Sequence, residues 1–323
     1  MSAEVTLDYE ALRHGVGAVV LGRDVISVEG PDALEYLQGQ CSQDLAALAV
    51  GSSADALVLT PQGKLDALIR VTRTRDDRFL VDVDDGYGPA VVTRLTRFKL
   101  RVKVDITPLD WTAVALRGPE ARSVVDAGAD AQGSTGVADG APPPIAFEWN
   151  GVVGVDLLGP GVAVPAGVRR CGAEAWQSVR VEAGIPVMGA ELDERTIAAE
   201  ADLLERCVSF TKGCYTGQEL VARLDARGNK VARRLRGVVM DALPDGAPHP
   251  GPGAEVTSGA KSVGRLTSVA WSPSLGTTVA LAYIHRDVEP PSPVEVATAD
   301  AQDGAGAGGA TVGATVRVLP LLL

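Results

Sequence analysis

Short runs of alternating apolar and polar residues, broken by glycine and proline, fill the first third of the chain. Residues 24–28 predict a strand that ends at a turn around Gly30, and the helix that follows takes Pro31 as its first position. Residues 54–73 form two alternating runs around the turn 61–64, which predicts a β-hairpin. Strand and helix patterns then alternate to residue 109. Antiparallel strands with helices between them indicate an α+β layer.

A similar pattern begins again at residue 111. Residues 111–128 predict a strand that leads into a helix with Pro119 at its first position. A loop at residues 129–144 is followed by a hairpin, residues 145–160, that turns at Asn150 and Gly151. Residues 171–184 predict a helix that ends at Gly184. We therefore expect two related α+β units.

From Leu235 onward, the sequence consists of short apolar runs separated by glycine and proline. Five or six strands at this spacing predict a small barrel or sandwich. The low-complexity segment 299–313 is expected to be a flexible loop before the last strand. These patterns divide the chain into a first module, residues 1–234, and a barrel domain, residues 235–323.

Composition is that of a folded protein, with 46% hydrophobic and 22% charged residues. The formal net charge of -11 counts against general binding to nucleic acid or to an anionic membrane, because those partners require a basic surface. The first residues contain acids and no apolar segment typical of a secretory signal. Apolar runs also fall short of the ~18 residues that span a bilayer. We expect a cytoplasmic protein.

The four cysteines are widely spaced and form no Cys-x-x-Cys pair, and the chain has three histidines. This distribution does not favour disulfides, a structural zinc site or a Cys-His catalytic pair. The cysteines are Cys41, Cys171, Cys207 and Cys214.

The stretch KGCYTGQELVAR, residues 212–223, places Cys214 between two glycines and just before a predicted helix. Thr216 and Glu219 have the spacing of a capping box, so the helix should begin at Gly217. A thiolate near the positive end of a helix is favoured, and Lys212 would add to that field. Glycines on both sides suit a loop that presents a sulfur at a cleft. The alternative is a small buried cysteine in a turn.

Basic residues follow this helix and form a candidate anion site in an otherwise acidic protein. The alternative is a solvated basic segment that pairs with the acidic run at residues 189–206. The basic residues are Arg223, Arg227, Lys230, Arg233, Arg234 and Arg236.

KGCYTGQELVAR strongly resembles the signature of the YgfZ-type folate-binding proteins, relatives of the glycine-cleavage T-protein (aminomethyltransferase). Residues 30–45 and 59–71 resemble the first helix and first hairpin of that family. Residues 180–203 are similar to the segment that leads into the signature, and residues 264–287 to the C-terminal barrel.

The resemblance implies an α+β fold of two interlocked units of the T-protein folate-binding type plus a C-terminal β-barrel, around a central cavity for tetrahydrofolate or a one-carbon derivative. The functional cysteine of the family falls on Cys214. Asp66 matches an aspartate near the folate amines, and Glu200 matches the acid of a Pro-x-Glu segment. The usual proline is absent here, and Asp202 stands where asparagine is frequent. The companions of the cysteine are Lys212, Tyr215, Gln218, Glu219 and Arg223.

For function, the resemblance implies an accessory protein for iron-sulfur cluster assembly or repair, with an indirect effect on tRNA modification. Its partners would be folate and iron-sulfur client or assembly proteins, because one cysteine cannot hold a cluster alone. The alternative is a folate-dependent aminomethyltransferase-like enzyme in which Asp66 orients the folate amine. Direct tRNA binding through the basic residues is disfavoured by the acidity of the chain and its few aromatic residues.

Overall fold

The computed structural model describes residues 2–132, 140–242, 248–298 and 310–322. Of the predicted loop 129–144, residues 133–139 lie outside the described residues, and residues 129–132 continue a helix instead. Of the predicted loop 299–313, residues 299–309 lie outside the described residues, and residues 311–313 already belong to the last strand. The helices within these ranges are α1 (Ala3–His14), α2 (Ala33–Gln40), α3 (Gly88–Arg97), α4 (Ala121–Gln132), α5 (Ala173–Ala183), α6 (Leu204–Cys207) and α7 (Gln218–Asp225). The strands of the first module are β1 (Gly17–Leu21), β2 (Arg23–Glu29), β3 (Ser53–Leu59), β4 (Leu65–Arg75), β5 (Arg78–Asp84), β6 (Asp105–Leu109), β7 (Thr112–Arg117), β8 (Ile145–Trp149), β9 (Val152–Gly159) and β10 (Arg169–Arg170). Those that follow are β11 (Arg233–Met240), β12 (Glu255–Ser258), β13 (Lys261–Ser272), β14 (Thr277–His285), β15 (Ser292–Ala297) and β16 (Thr311–Arg317).

Two five-stranded sheets form the first module, and the chain passes from one to the other and back. Strand β1 belongs to the sheet ordered β10-β1-β7-β9-β8, whereas β2 to β6 form the sheet ordered β3-β4-β5-β2-β6. The chain then returns to the first sheet at β7. The first sheet takes β1 from before the continuous segment β2 to β6 and takes β7 to β10 from after it, so the two α+β units are interlocked, as expected.

The sheet of β2 to β6 has two differently covered faces. One face carries α2 and α3, and its alternate strand residues, such as Ile26, Val28 and Val81, join their apolar side chains in the largest core. The residues between them point the other way. Val25 and Leu80 pack there against Ala113 of the sheet that contains β7. The two sheets therefore face each other, and any space between them is enclosed by strand residues.

Strands β11 to β16 close into a six-stranded barrel in the order β11-β14-β13-β12-β15-β16. Its interior is a separate core of mainly valine and alanine side chains. Helix α5 packs between α1 and the barrel strand β13. The predicted barrel is thus confirmed, whereas the division of the chain at residue 234 stays a prediction.

Both hairpins and the helix that ends at Gly184 are confirmed. Two helix starts were predicted two residues too early, because Pro31 and Pro119 each lie in a turn that precedes the helix. At the first of these turns, the carboxylate of Asp32 accepts a hydrogen bond from the main chain of Lys103 at 2.7 Å. The helices α1 and α6 and the strands β1 and β10 were not predicted. None of the helices in the described residues is long and apolar enough to cross a membrane.

Candidate functional site

A cavity of about 340 Å³ lies between the two sheets. One wall comes from β2, β3 and β4, and the opposite wall comes from β7, β8 and β9. Trp176 of α5 and the segment 185–187 close one side. The volume falls in the ~300–1,000 Å³ range of small-molecule sites. The structure thus contains the central cavity implied by the resemblance.

Buried charges line the floor of this cavity and connect the sheets. Arg70 of β4 donates from Nε to Asp82 at 3.0 Å and from Nη1 to Asp156 of the opposite sheet. Arg117 donates from Nη1 to the second oxygen of Asp156 at 2.6 Å. Burial alone would raise the pKa of Asp156, but Arg117 and Arg70 lower it to about 2. The carboxylate of Asp156 is therefore ionised across the neutral range.

Arg23 extends the same chain of charges. It donates to Asp82 at 2.8 Å and to Asp84 at 2.6 Å. Burial and the two aspartates act in opposite directions on its pKa, and the aspartates prevail, so the pKa is raised. Each buried carboxylate thus has at least one guanidinium partner.

Three aromatic rings complete the lining, and two of them stack on arginines. The guanidinium of Arg117 lies 3.6 Å from the ring centroid of Phe147 and 5.4 Å from that of Trp176. Arg206 lies 4.2 Å from the ring centroid of Trp149 and pairs with Asp55 at 2.5 Å. The cavity thus offers flat apolar surfaces, carboxylates and guanidinium groups to one ligand.

Lys212 has a different position from the one expected. Its buried ammonium donates to the main-chain oxygens of Gln38, Cys41 and Gln43 at 2.8, 2.9 and 2.6 Å. Burial lowers the pKa of Lys212. Its hydrogen bonds therefore go to the end of α2 and the following loop, where they fix the main chain, and the idea that the ammonium acts on Cys214 loses its support.

Cys214 is exposed, whereas Cys41, Cys171 and Cys207 are buried. Its loop lies over the end of α2, where the main-chain N–H of Thr216 donates to Gly39 at 3.2 Å. Because α2 covers the sheet face that points away from the cavity, Cys214 lies outside the cavity lining. The thiol is thus open to solvent, and the expectation that its loop presents it at a cleft is wrong for this cavity.

The predicted capping box does not form. Helix α7 begins at Gln218, and its N-cap is Gly217, which has no side chain to cap with. Glu219 pairs instead with Arg223, one turn along the helix. Near the cap, Gln218 accepts a hydrogen bond from the main chain of Tyr215 at 3.4 Å. The helix start was thus predicted to within one residue, but for a wrong reason.

The structure brings the signature residues together but places none of them in the cavity lining. Tyr215 is buried, and burial raises its pKa to about 12. Glu219 and Arg223 are exposed, with 83% and 54% of their side chains accessible. None of Tyr215, Gln218, Glu219 and Arg223 is among the residues that line the cavity. Their assignment to folate binding stays a prediction without a contact to that cavity.

Asp66 lies beside the signature loop and not in the cavity. It is the extra residue of a β-bulge, since Leu65 pairs with Leu59 and Ala67 with Val58. Its carboxylate accepts from Arg94 Nε at 3.2 Å, and Arg94 also donates to Gln40 of α2 at 3.1 Å. Burial raises the pKa of Asp66 more than Arg94 lowers it. The bulge accounts for an aspartate that turns toward the helices.

Glu200 and the basic residues support the alternative of local pairing. Buried Glu200 accepts from Arg233 at 3.0 Å, and Arg234 lies 3.8 Å from Asp202. Arg236 lines a second cavity of about 460 Å³ that shares Trp149 and Arg206 with the first. The acidic run thus neutralises part of the basic segment.

Sequence reasoning missed the charged residues of the main cavity. Arg70, Arg117 and Asp156 each stand inside or at the end of an apolar strand, in ALIRV, AVALR and GVDLL. A charge in a strand that is otherwise buried is costly unless it is paired, so these positions could have been selected as a set. Which of them pair could not be read, since Arg70 and Asp156 lie 86 positions apart.

Comparison with known proteins identifies the family of this fold. Residues 1–136 match the GCVT N-terminal domain, and residues 233–317 match the glycine cleavage T-protein C-terminal barrel domain. The aminomethyltransferase of Streptomyces avermitilis is 30% identical over 286 residues, 80% of this chain and 75% of that protein. An uncharacterized protein of Haemophilus influenzae is 27% identical over 207 residues, 63% of this chain and 66% of that protein.

A solved structure has the same fold. The crystal structure of the glycine cleavage system aminomethyltransferase T from Bartonella henselae superposes with a TM-score of 0.79, at 21% identity, over 98% of this chain and 89% of that one. This superposition agrees with the two domain matches, which occur in N-terminal to C-terminal order. It also agrees with the similarity to the Streptomyces avermitilis protein, which extends over 75% of that protein. The chain belongs to the glycine-cleavage T-protein (aminomethyltransferase) superfamily.

Proposed function

We propose that this protein binds tetrahydrofolate, or a one-carbon derivative of it, in the cavity between the sheets. We further propose that it acts in the cytoplasm as an accessory protein for iron-sulfur cluster assembly or repair. The observation that carries the first proposal is the cavity lining. Trp149, Phe147 and Trp176 supply flat surfaces beside carboxylates and guanidinium groups. A folate combines a flat pterin ring that donates hydrogen bonds with an anionic glutamyl tail, so its chemistry complements this lining.

The exposed thiol supports the accessory role. Cys214 is accessible to another protein, and the loop that carries it is fixed at one end by the buried ammonium of Lys212. A thiolate is a soft ligand suited to iron-sulfur species, but a single thiolate must share such a species with other thiols. A transient complex with a client or assembly protein meets that need. An effect on tRNA modification would follow indirectly, through enzymes that contain clusters.

An aminomethyltransferase-like reaction is the second candidate, and the name of the Streptomyces avermitilis relative favours it. In that case Asp66 would orient the folate amine. The carboxylate of Asp66 is instead paired with Arg94 on the helix side of its sheet. The accessory role therefore has the better support.

Tryptophan fluorescence tests the folate proposal. Trp149 and Trp176 line the cavity, whereas Trp271 is exposed on the barrel. We expect tetrahydrofolate to quench the wild-type emission saturably and to raise the unfolding temperature, because it binds only the folded state. Trp149→Phe should reduce the quenching, and the control Trp271→Phe should leave it intact. No saturable change with wild type would refute folate binding here.

Two further assays separate the roles. Production of methylene-tetrahydrofolate from an aminomethyl donor would identify a transferase, and its absence is expected for an accessory protein. In cells that lack the protein, Cys214→Ser should fail to restore the activity of cluster-dependent enzymes, while Cys171→Ser, at a buried thiol, serves as the matched control. Full restoration by Cys214→Ser would show that the thiol has no such role.

A further inference from the structure

Arg117 differs from the other two arginines of the cavity floor in how it uses its hydrogen-bond donors. Arg23 donates from Nε, Nη1 and Nη2, and Arg70 does the same. Both hydrogen bonds of Arg117 start at Nη1 and go to Asp156 at 2.6 Å and to the main chain of Leu116 at 3.1 Å. Its Nε has no partner in the described part of the chain.

This difference matters because Arg117 is the most deeply buried of the three. Its side chain is 1% accessible, compared with 11% for Arg70 and 18% for Arg23. A buried donor without an acceptor destabilises the protein, and does so more strongly when the group is charged. A ligand acceptor in the cavity that Arg117 lines would remove that cost.

The three arginines of the cavity floor are matched in number by Asp82, Asp84 and Asp156, but Arg117 has to share its one carboxylate with another arginine. Its carboxylate partner, Asp156, is shared with Arg70, and Asp82 is shared between Arg70 and Arg23. Burial lowers the pKa of Arg117, Asp156 opposes that effect, and the two other guanidinium groups add to it. One more negative charge at this end of the cavity would stabilise the charged form.

One edge of the guanidinium, Nε and Nη2, donates no hydrogen bond within the described residues. Phe147 stacks on Arg117 at 3.6 Å, Trp176 lies farther away at 5.4 Å, and Nη1 is occupied by Asp156. The remaining nitrogens, Nε and Nη2, form the pair that matches the two oxygens of a carboxylate in a bidentate contact.

We infer that Arg117 anchors a carboxylate ligand inside the cavity between the sheets. The carboxylate has two possible sources, the benzoyl-glutamyl part of a folate or a separate small carboxylic acid. The first source rests on the proposed function, and the second does not. In both cases Arg117 is a binding residue that selects for a negatively charged ligand.

The first test uses the wild-type protein and needs no variant. Benzoate and benzamide have nearly the same shape and differ in charge, so they report on the carboxylate alone. We expect benzoate to bind at least about tenfold more tightly than benzamide, by calorimetry or tryptophan quenching. Equal binding of the two compounds, or binding of neither, overturns the inference.

The second test replaces the guanidinium while keeping a positive charge for Asp156. Arg117→Lys retains an ammonium at this position but loses the planar pair of donors. The variant should keep its fold, checked by circular dichroism and unfolding temperature, and should lose the preference for benzoate. The control is Arg122→Lys on α4, where the arginine is exposed and pairs with Asp126. A preference that survives in Arg117→Lys overturns the inference.

Two folate analogues distinguish the sources. If the glutamyl tail is the source, Arg117→Lys should weaken the binding of tetrahydrofolate by about tenfold. The binding of 6-methyltetrahydropterin, which has no carboxylate, should then be unchanged. If tetrahydrofolate binds wild type and Arg117→Lys equally, while benzoate binds only wild type, the ligand of Arg117 is a separate carboxylic acid. Equal weakening of both pterins would place the pterin ring on Arg117 and overturn the inference. If wild type binds no pterin, the proposed function fails, and the benzoate result still decides the role of Arg117.

Discussion

At the scale of single residues, the buried ammonium of Lys212 and the exposed thiol of Cys214 stand two positions apart and have opposite environments. Lys212 donates to three main-chain oxygens of residues 38–43, a segment about 170 positions earlier in the chain. Cys214 faces solvent. We infer that the lysine holds the loop in place and that the thiol is free to react with another molecule.

We predict that Lys212→Met lowers the free energy of unfolding by about 3 kcal/mol, because three buried oxygens lose a charged donor. Cys214→Ser should change it by less than about 0.5 kcal/mol, as is usual at an exposed position. Urea unfolding of both variants beside wild type measures the two effects. An unchanged urea midpoint for Lys212→Met would contradict the structural role of the lysine.

The sequence could locate these two residues but not their roles. Glycines beside Cys214 indicated a loop that presents the sulfur at a cleft, whereas the sulfur is exposed and lies outside the cavity lining. The partners of Lys212 are fixed by how α2 packs on the signature loop, and no pattern within residues 212–223 contains that information. The direction of the Asp66 side chain could not be predicted for the same kind of reason, because a single extra residue in a strand redirects a side chain.

At the scale of elements, helix α7 is positioned by the close approach of its N-cap to the first hairpin. Gly217 has a φ of 84°, a conformation that favours glycine. A β-carbon there would lie 2.6 Å from Leu59 Cβ and from the oxygen of Thr60. The hairpin turn and the signature loop are therefore packed main chain against main chain.

We predict that Gly217→Ala destabilises the protein by about 2 kcal/mol or more, because both the φ value and the contact with Thr60 must change. Gly213→Ala is the matched control, since a β-carbon at Gly213 meets no atom within 4 Å. Thermal unfolding of both variants gives the comparison. Limited proteolysis should also cut the Gly217→Ala protein in the loop before α7. Equal unfolding temperatures for the two variants would rule out this packing argument.

Element predictions succeeded where the signal was local. The hairpins at 54–73 and 145–160 follow from alternation and turn residues alone. The start of α7 was found, but the Thr216 and Glu219 spacing was misread, because contact with the hairpin places a glycine at the cap. Helix α1 was missed, since its stability comes from packing of Tyr9 and Leu12 against distant segments.

At the scale of the whole molecule, the α+β class and the barrel were predictable, but the way the sheets meet was not. Alternation indicates which strand residues are buried, yet both faces of the sheet formed by β2 to β6 are covered. The charged pair between the sheets joins Arg70 to Asp156, which also binds Arg117 of its own sheet. No pattern along the chain indicates that Arg70 and Asp156 meet. The cavity is formed by the packing of the two sheets against each other, which alternation along the strands did not predict.

Asp156 is the carboxylate that binds arginines of both sheets, so protonation of this group should lower the free energy of unfolding of the whole protein. Its pKa is lowered from 3.8 to about 2, and a carboxyl with a lowered pKa stabilises the folded state above its unfolded pKa. That contribution is present at neutral pH and is lost as the pH falls from about 4 toward 2.

Asp156→Asn should thus cost about 3–5 kcal/mol at neutral pH, because Arg117 is left without a carboxylate. The difference from wild type should shrink by about 2 kcal/mol toward the acid end of a urea unfolding series. Asp126→Asn, at the exposed Arg122 pair, is the control and should follow wild type at every pH. A difference between Asp156→Asn and wild type that stays constant with pH would mean that this carboxylate does not link the two sheets in the way described.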